Sequence, residues 1–566
     1  MRYHCFITDY DGTLASENRV VPEAIQALEA LKATGRKLIL VTGRQLEELK
    51  TIFPEYGLFD RIVAENGAVL YCPATQELSL LGLPPPKSFI ADLESQSVPI
   101  AVGHVIVAGW EPHQQTFLNA IRSAGLEYQL IFNKGAIMVL PPGINKATGL
   151  HHALRALQIS EHNAVAIGDA ENDTAMLLAA ECAVAVQNAL PQVGGIADWT
   201  TDRPAAEGVI QLIQRLISDD LGQIDSCLSR HYLPLGKEMN GSLFQICPYG
   251  ERILLAGTSG FGKTTLAAAF IEKLIAKAYQ FCLIDPEGDY QELPGVLTIG
   301  DGSHPPLISE VTGLLARADE NVIVCILAVP LDDRPAYFNK LAQAVAGVRK
   351  MTGHPHFMIM DEAHHLMPRQ HHSGPVAFPD DFNSFLAITT RPELLDQALV
   401  QRINTVLVMG EAPDQTMRSV AHMLAADLPL PANLVFKKGE VLVWQKDRPK
   451  LRVVTSDMPG ALLMRHKRKY ATGDMDYNSF YFTGPGHRLN LKANNLMLFI
   501  QMASGIDDDT WYYHLHRHDY ANWFRHTVKD EKLAQVAEKV ERRGLDPWNS
   551  RKAIFKAILE RYTLPA

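Results

Sequence analysis

The sequence has few cysteines and no long apolar run. Its seven cysteines are scattered without a Cys-x-x-Cys pair, which argues against a disulfide framework or a zinc ribbon. No stretch approaches the ~18 to 20 consecutive apolar residues that cross a bilayer. The first residues carry no basic stretch, apolar helix or cleavage site typical of an export signal. We therefore expect a cytoplasmic protein with no membrane partner.

The chain also lacks an excess of positive charge. Its 53 lysines and arginines stand against 63 aspartates and glutamates, for a net charge of −10. This balance gives no general attraction to nucleic acid, and neither a zinc finger nor a basic tail supplies a local one. Binding to nucleic acid is therefore possible in principle, but no feature of the sequence supports it. With 566 residues, of which 47% are hydrophobic, the chain can build about three domains, each with its own core.

The composition changes character along the chain. The first region alternates short apolar runs with helical patterns such as Pro22 to Ala33, which is typical of a parallel α/β sheet. A stretch that opens on Pro84-Pro85-Pro86 interrupts this rhythm and indicates an inserted cap with two or three strands and one helix. The last region is mainly α-helical, with a helix from Asn490 to Met502. The expected divisions are 1–217 with the cap at about 83–141, a linker at 218–235, a second α/β region at 236–455 and a helical module at 456–566.

A first phosphate-handling motif follows the apolar strand Cys5 to Thr8. Asp9 and Asp11 occupy alternate positions, so both carboxylates lie on the same side of the strand. One can attack phosphorus while the other protonates the leaving group and later activates water, provided that a hard cation offsets the gathered charge. Taken alone, the pentapeptide from Asp9 to Thr13 is equally compatible with a solvated turn after a strand.

Three further elements favour phosphate chemistry. A strand ending at Val41 leads to Thr42-Gly43-Arg44, which offers a hydroxyl and backbone amides to phosphate oxygens. Lys146 follows the cap and can neutralise phosphate or the nucleophile. A third strand ends in Gly168-Asp169-Ala170-Glu171-Asn172-Asp173, whose acidic side chains suit an oxygen-rich Mg²⁺ site. The sequence therefore predicts a phosphomonoesterase.

This arrangement resembles the haloacid dehalogenase (HAD) superfamily, subclass IIB, over residues 1 to about 217. The resemblance implies a Rossmann-like core with a small α+β cap, and a loop match at Glu65-Asn66-Gly67-Ala68. It implies that Asp9 is the nucleophile that forms an aspartyl phosphate and that Asp11 is the general acid and base. A small sugar or acid phosphate is the expected substrate. The remaining implied roles are phosphate contacts by Thr42, Gly43, Arg44, Lys146 and Asn172, and Mg²⁺ binding by Asp9, Asp169, Asp173 and the backbone carbonyl of Asp11.

A second motif begins after the strand Arg252 to Ala256. Its glycines let backbone amides close around a triphosphate, Lys263 reaches the terminal oxygens, and the Thr264 hydroxyl binds Mg²⁺ at a helix N-terminus. The sequence therefore predicts ATP binding. The residues assigned to the nucleotide site are Gly257, Gly260, Gly262, Lys263, Thr264, Thr265, Asp361 and Arg402.

Hydrolysis of the bound ATP needs an acidic pair, which the strand Phe357 to Met360 provides. Asp361 can hold the Mg²⁺ shell through water, and Glu362 can polarise the attacking water. The string Asp-Glu-Ala-His also occurs in helicases, but the later arginine-rich motif with paired glycines that such helicases need is not found in this sequence. Glu362 is therefore predicted to be catalytic.

The second α/β region resembles the HerA/FtsK class of ATPases, over about residues 236 to 454. The resemblance implies a RecA-like fold and a homo-oligomer, with a ring of six as the family pattern. The sequence departs from the class at Thr390, where a glutamine is usual, and in lacking the small β-barrel of HerA. Arg402 is a candidate arginine finger acting in trans, and an ordinary surface arginine is the alternative; the same holds for Arg391.

The helical module offers weaker signals. His514 and His518 lie four residues apart, so on a helix they would share one face and could bind a metal with Asp519. The neighbouring aromatic residues favour the other interpretation, in which these histidines are packed and hydrogen-bonded.

The leading hypothesis is a Mg²⁺-dependent phosphatase whose ATPase domain regulates or assembles it. One alternative is a ring motor on nucleic acid with an accessory phosphatase. Another is a scaffold in which ATP binding alone sets the conformation, although the presence of Glu362 argues against it.

Overall fold

A computed structural model describes most of the chain. The described residues are 1–133, 135–224, 228–258, 261–290, 293–369, 378–380, 382–426, 436–437, 439–456, 479–528 and 530–562. They group into two compact units, of which the first comprises Met1–Pro286 with Val296–Pro459 and the second comprises Glu287–Gly295 with Gly460–Ala566. Within the described part, none of the helices combines the length and the apolar composition that a bilayer span requires.

The first unit begins with an eight-stranded sheet. Its strands are β1 (Cys5–Asp9), β2 (Lys37–Val41), β3 (Arg61–Ala64), β4 (Val69–Cys72), β5 (Glu77–Leu80), β10 (Ala164–Gly168), β11 (Cys182–Ala185) and β12 (Trp199–Thr200). They run in the order β12-β11-β10-β1-β2-β3-β4-β5, and all pair in parallel except β3 with β4 and β4 with β5.

Helices cover both faces of this sheet. They are α1 (Pro22–Ala33), α2 (Leu46–Ile52), α5 (Lys146–Leu157), α6 (Thr174–Ala179), α7 (Pro191–Ile196) and α8 (Ala205–Asp219). Alternate residues of a strand face opposite sides, so Phe6 packs in one apolar core and Ile7 in the other. Strands that are buried on both faces read as continuous apolar runs, which is why the sequence predicted them.

The cap is larger than the sequence predicted. Its four-stranded sheet has the order β6-β7-β9-β8, and two helices, not one, lie beside it. A fully buried Phe89 on the first of these helices packs in the same small core as Phe117 on the second. The cap elements are α3 (Lys87–Ser95), β6 (Ala101–Val102), β7 (Val107–Trp110), α4 (Gln114–Ser123), β8 (Gln129–Asn133) and β9 (Ala136–Leu140).

An eleven-stranded sheet forms the rest of the first unit. Its order is β14-β13-β23-β22-β21-β15-β20-β19-β16-β18-β17, parallel from β21 to β17 and antiparallel at the β14 end. The strands are β13 (Leu233–Glu238), β14 (Leu243–Ile246), β15 (Arg252–Gly257), β16 (Phe281–Asp285), β17 (Leu297–Ile299), β18 (Val322–Cys325), β19 (Phe357–Met360), β20 (Phe385–Thr389), β21 (Thr405–Met409), β22 (Glu440–Gln445) and β23 (Arg448–Ser456). The helices are α9 (Lys263–Ala276), α10 (Ile308–Leu315), α11 (Arg334–Thr352), α12 (Gln397–Arg402) and α13 (Pro413–Met423).

The two sheets of the first unit contact each other through residues at the amino-terminal ends of their strands. Asn163 precedes β10, and its side-chain oxygen lies 3.0 Å from Nε2 of His356, which precedes β19. One residue earlier, His162 places its Nε2 2.6 Å from the backbone carbonyl of Lys277. Both phosphate motifs follow the carboxyl ends of their strands. This contact, which we call the sheet interface, therefore lies at the opposite end of the strands from both motifs.

The described part of the second unit is mainly helical, and its first helix starts later than the sequence predicted. Leu491 to Ala493 pair with Phe480 to Phe482 in a two-stranded sheet, and the helix begins at Leu496 because the Asn495 side chain caps its first turn. The elements are β24 (Phe480–Phe482), β25 (Leu491–Ala493), α14 (Leu496–Gly505), α15 (Asp508–His516), α16 (Asp519–Asn522), α17 (Glu531–Arg542) and α18 (Pro547–Tyr562).

Candidate functional site

Lys146 lies at the centre of the first site. It is the first residue of α5, and its ammonium lies 2.6 Å from a carboxylate oxygen of Asp9 and 2.5 Å from one of Asp173. All three side chains are almost fully buried. Lys146 follows Asp9 by 137 positions, with the cap between them, and the neighbouring parallel strands β1 and β10 bring Asp9 and Asp173 to the same edge of the sheet. One cation beside two carboxylates leaves the group negative, so a phosphate monoester would need further positive charge at this site.

Three carboxylates converge beside Lys146. Asp9, Asp169 and Asp173 each offer an oxygen, and these oxygens all lie within 4.8 Å of one another. The second oxygen of Asp173 accepts hydrogen bonds of 3.0 Å from the backbone amides of Asp169 and Ala170, which fixes the carboxylate. Hard oxygen donors at this spacing suit Mg²⁺, so these residues fit the predicted metal.

The electrostatics of Asp9 agree with a need for a cation. Burial first, and then the nearby carboxylate of Asp173, raise the pKa of Asp9 to about 8, although the Lys146 ammonium opposes the shift. One ammonium therefore does not compensate the three carboxylates. A divalent cation would favour the ionised form of Asp9, which is the form that can act as a nucleophile.

Asp11 lies at the edge of this group. Its carboxylate is 37% exposed and pairs with the Arg44 guanidinium, which approaches to 2.6 Å and also contacts Glu48. Arg44, predicted to contact phosphate, thus engages its side chain with carboxylates. Its backbone amide donates to the buried Thr42 hydroxyl at 3.1 Å, so Thr42 shapes the loop after β2.

The cap closes over Gly43 and Asn172. A side chain at Gly43 would contact the sulfur of Met138 on β9 at 3.6 Å and the Asn172 amide at 3.9 Å. Asn172 also donates a 3.2 Å hydrogen bond to the side-chain oxygen of Asn66. The structure therefore brings Gly43 and Asn172 together, at the boundary between core and cap.

Glu65 is a functional candidate whose role the sequence did not indicate. Its fully buried carboxylate accepts hydrogen bonds from three successive backbone amides of the cap, those of His104 at 2.8 Å, Val105 at 2.9 Å and Ile106 at 3.1 Å. The backbone of Glu65 has a left-handed φ of 53°, which costs free energy for a residue other than glycine. Glu65 therefore fastens the cap to the core loop that carries Asn66.

The second site lies at the carboxyl ends of β15 and β19. Gly257 ends β15, and a side chain there would lie 1.9 Å from the Met409 carbonyl, so only glycine fits. Gly262 has a φ of 99° and immediately precedes α9, whose first residues are Lys263, Thr264 and Thr265. The Lys263 ammonium contacts the carbonyls of Gly257 and Thr258, at 2.9 and 3.0 Å. Gly260 lies outside the described residues.

The acidic pair follows β19, and β20 lies between this strand and β15. Asp361 and Glu362 are both buried, and Glu362 has a left-handed φ of 41°. Thr390, which follows β20, donates to the Glu362 carboxylate at 3.4 Å, and His364 lies 3.4 Å from the same oxygen. Thr390 thus reaches the predicted catalytic carboxylate from the position where the HerA/FtsK pattern has glutamine.

Arg402 does not have the arrangement of an arginine finger. Both terminal nitrogens of its guanidinium donate to backbone carbonyls of its own chain, including that of Pro379 at 2.9 Å and that of Phe382 at 2.5 Å. The guanidinium also lies over the Phe378 ring, with its carbon 4.9 Å from the ring centroid. Arg402 is thus half-buried and held by its own chain, which is neither the surface arginine given as the alternative nor a guanidinium extended toward a neighbouring copy. Arg391, also considered as a finger, has an exposed side chain.

The histidine pair of the helical module does not share a helix face. Helix α15 ends at His516, and His518 has a left-handed φ of 58°. His514 pairs with Asp519 at 2.8 Å, whereas His518 pairs with Glu541 at 3.0 Å. The structure does not bring the two histidines together as a metal site would need, and the hydrogen-bonded interpretation, which the sequence favoured, agrees with the structure.

Comparison with known proteins places the first region in a family. Residues 6–93 and 110–213 match the family model of haloacid dehalogenase-like hydrolases. Phosphoglycolate phosphatase from Methanothermobacter thermautotrophicus is 30% identical over 226 residues, which are 37% of this chain and 96% of that protein. The enzyme of the same name from Methanoculleus marisnigri is 27% identical over 223 residues, 37% of this chain and 94% of its own. A solved haloacid dehalogenase-like hydrolase from Bacteroides thetaiotaomicron has 19% identity and a TM-score of 0.34, covering 38% of this chain and 99% of its own.

The second site has its own match. Residues 253–411 match the family model of ATPases associated with various cellular activities (AAA), and this segment contains Lys263, Asp361 and Glu362. The chain belongs to the haloacid dehalogenase-like hydrolases and carries an AAA ATPase domain in the same polypeptide.

Proposed function

We propose that the first site hydrolyses phosphate monoesters with the help of Mg²⁺ and through an aspartyl phosphate on Asp9. The observation that carries this proposal is the position of Lys146 between Asp9 and Asp173, inside a group of three converging carboxylates. A nucleophile, a fixed positive charge and a set of metal ligands at one edge of a sheet are what phosphoryl transfer requires.

The chemistry follows from the positions of the side chains. An oxygen of Asp9 attacks phosphorus, the bond between phosphorus and the leaving oxygen breaks, and Asp11 gives that oxygen its proton. A water molecule then attacks the phosphorus of the aspartyl phosphate and gives its proton to Asp11, the bond between phosphorus and the Asp9 oxygen breaks, and inorganic phosphate leaves. Mg²⁺ held by Asp9, Asp169, Asp173 and the Asp11 carbonyl would offset the negative charge.

Two contacts set conditions on this cycle. Lys146 lies 2.6 Å from Asp9, so its ammonium is placed to stabilise the charge that develops on the phosphoryl oxygens. Asp11 is ion-paired with Arg44, so proton donation requires this pair to open when substrate binds. The backbone amides around Thr42 and Gly43, with the Asn172 side chain, complete the phosphate contacts in this proposal.

The substrate class is a small phosphorylated metabolite. The named relatives are phosphoglycolate phosphatases, and the present chain spans nearly their whole length. The test is a panel of acid, polyol, sugar and nucleotide monophosphates, assayed for phosphate release with Mg²⁺ and with EDTA. Release from at least one substrate that stops with EDTA is expected; no release from any of them would refute the proposal.

We further propose that the AAA domain binds and hydrolyses ATP with Mg²⁺ and that it regulates or assembles the phosphatase. The supporting observation is the bond between Asn163 and His356 in the sheet interface. Asn163 precedes the strand that leads to Asp169, and His356 precedes the strand that leads to Asp361. A shift of either strand therefore acts on the other site through this bond and the neighbouring contacts of the sheet interface.

The test compares the phosphatase rate with ATP, with ADP and without nucleotide. We expect the phosphatase rate of the natural protein to depend on the nucleotide, and we expect Lys263→Ala to abolish this dependence. The Asn163→Ala variant should keep both basal activities and show a weaker dependence, because the other contacts of the sheet interface remain. Equal phosphatase rates under all three conditions, together with an unchanged oligomeric state, would contradict a regulatory or assembling role.

The resemblance of the second α/β region to the HerA/FtsK class implies a homo-oligomeric ring, and members of that class generally form rings of six copies. Light scattering with and without ATP tests this, and a monomer under both conditions would exclude it. In the described part of the chain we find no observation that favours the alternative of a motor on nucleic acid. Stimulation of the ATPase rate by DNA would instead support the motor alternative.

A further inference from the structure

The string Asp-Glu-Ala-His after β19 contains one polar side chain to which the proposed chemistry gives no role. This is His364, two residues after Glu362 and within the short helical turn Ala363–His365. His364 is buried, with 8% of its surface exposed. Burying an imidazole costs free energy unless its nitrogens have partners, and two neighbours of the His364 ring belong to the second site.

One nitrogen of His364 faces both of these side chains. Its Nδ1 lies 3.0 Å from the Thr389 hydroxyl and 3.4 Å from one oxygen of the Glu362 carboxylate, Oε2. A lone pair on Nδ1 would face the negative charge of Glu362, so the tautomer that carries its proton on Nδ1 is the favourable one. His364 therefore directs one N–H toward Thr389 and Glu362 together.

The second contact to Glu362 reaches the same carboxylate oxygen. The Thr390 hydroxyl donates to Oε2 at 3.4 Å. Among the described residues, none donates a hydrogen bond to the other oxygen, Oε1. The contacts therefore hold one oxygen of the carboxylate and leave the other to accept a proton from water, as a general base must.

Glu362 needs such support because its conformation is unfavourable in isolation. Its backbone has a left-handed φ of 41°, which persists in a residue other than glycine only where the surrounding structure imposes it. The side chain of a glutamate that nothing holds also samples several rotamers, so its carboxylate has no fixed direction. A displacement of about 1 Å in a reacting group can cost on the order of a hundredfold in rate. A contact that fixes the Glu362 carboxylate therefore contributes to hydrolysis.

Thr389 connects this arrangement to the strand that leads into the glycine loop. Strand β20 lies between β15 and β19, and its last residue, Thr389, pairs in register with Ala256, the residue before Gly257. The Thr389 side chain is fully buried, and its hydroxyl accepts a hydrogen bond of 3.0 Å from the backbone amide of Arg391. The hydroxyl is therefore a fixed acceptor for His364.

On the basis of the proposed ATP hydrolysis at this site, we propose that His364 is a positioning residue for Glu362. The Nδ1–H group is fixed by the Thr389 hydroxyl and keeps the Glu362 carboxylate turned with Oε1 toward the attacking water. This role requires no contact with the nucleotide. His364 therefore contributes to the rate of hydrolysis and not to the binding of ATP.

Three substitutions test whether Nδ1 is the group that matters. His364→Ala removes both ring nitrogens, His364→Asn keeps a donor near the position of Nδ1, and His364→Gln keeps one near the position of Nε2. We expect His364→Ala and His364→Gln to lower kcat for ATP hydrolysis about tenfold, and His364→Asn to stay within about threefold of the natural protein. The dissociation constant of a fluorescent ATP analogue should change less than about twofold in all three. His304→Ala removes an exposed histidine and serves as the control with natural kcat.

A natural kcat in His364→Ala would overturn the inference, as would equal losses in the Asn and Gln variants or a loss of ATP binding that parallels the loss of rate. The thermal unfolding midpoint shows whether each variant is folded. If His364→Ala is not, the comparison of His364→Asn with His364→Gln decides by itself. Absence of ATP hydrolysis in the natural protein would instead refute the proposed function of this domain.

Discussion

The Tyr279 hydroxyl donates a 2.9 Å hydrogen bond to the carboxylate of Glu181, and this bond joins the two sheets of the first unit. The same carboxylate pairs with the Arg2 guanidinium at 2.6 Å and with His162 at 2.6 Å. Glu181 is 1% exposed, and its pKa is held well below the usual range because these partners outweigh the effect of burial. A buried carboxylate that is fully hydrogen-bonded fixes the geometry of the sheet interface.

The Tyr279→Phe variant tests how much this hydrogen bond contributes to the stability of the protein. It removes one hydroxyl and leaves the ring stacked on His162, so we expect the unfolding free energy to fall by about 1 to 2 kcal/mol. Urea unfolding at pH 7 measures the change. The phosphatase and ATPase rates should stay within twofold of the natural protein, since Tyr279 contacts neither site. A variant as stable as the natural protein would show that the bond contributes nothing.

Acidification should weaken the sheet interface. Burial lowers the pKa of His231 from 6.5 to about 4, although Glu181 opposes the shift, and Arg230, His162 and Asp198 also act on it. Between these two pH values the unfolded chain binds a proton that the folded chain does not, so stability falls as pH decreases from 7 to 4. The contribution of this one histidine is on the order of 3 kcal/mol.

The measurement is the thermal unfolding midpoint against pH, for the natural protein and for His231→Asn. The natural protein should lose stability steadily below pH 6.5, and the variant should show a shallower decline. The pKa of His4 is lowered to about 4, mainly by burial, so part of the slope should remain in the variant. Identical slopes in the two proteins would contradict the assignment to His231.

Glu65→Ala should loosen the cap. The substitution leaves three backbone amides of the cap without their acceptor, which we expect to lower stability by about 2 to 4 kcal/mol. Because the cap would no longer be held over the core, KM for the phosphatase substrate should rise about tenfold or more, and kcat should fall less. Glu77→Ala removes an exposed carboxylate from β5 and serves as the control. An unchanged KM would show that Glu65 does not position the cap.

Glu362→Gln tests the second site independently. We expect ATP to bind with nearly natural affinity, because Lys263 and the glycine loop remain, while hydrolysis falls about a hundredfold or more through loss of the base. Steady-state hydrolysis and equilibrium binding of a fluorescent ATP analogue measure the two quantities. Hydrolysis at the natural rate would remove Glu362 from the mechanism.

The sequence predicted much of the first unit because its signals are local. A buried parallel strand is a continuous apolar run, and the residues that follow its carboxyl end, such as Asp9 and Asp361, therefore reach the edge where sites form. The position of Lys146 after the cap predicted a cation that can neutralise phosphate or the nucleophile, and the structure places it against Asp9.

What the sequence did not predict depends on contacts between distant segments. Glu65 binds backbone amides, and no side-chain pattern marks such donors. Glu181 and Tyr279 are ordinary residue types next to strands, so their pairing follows only from the approach of the two sheets. The left-handed backbone of His518 ends a helical register that the spacing from His514 suggested. Each of these features results from tertiary structure that local periodicity does not encode.

The most direct test of the account is the covalent intermediate on Asp9. A substrate labelled in its phosphoryl group is mixed with the protein and Mg²⁺, the reaction is quenched in acid within milliseconds, and label bound to the denatured chain is counted. The natural protein should carry acid-stable, hydroxylamine-sensitive label on the peptide that contains Asp9, and Asp9→Asn should carry none and release no phosphate while its ATPase rate is retained. Phosphate release by Asp9→Asn at the natural rate, or label on another residue, would contradict the proposed mechanism.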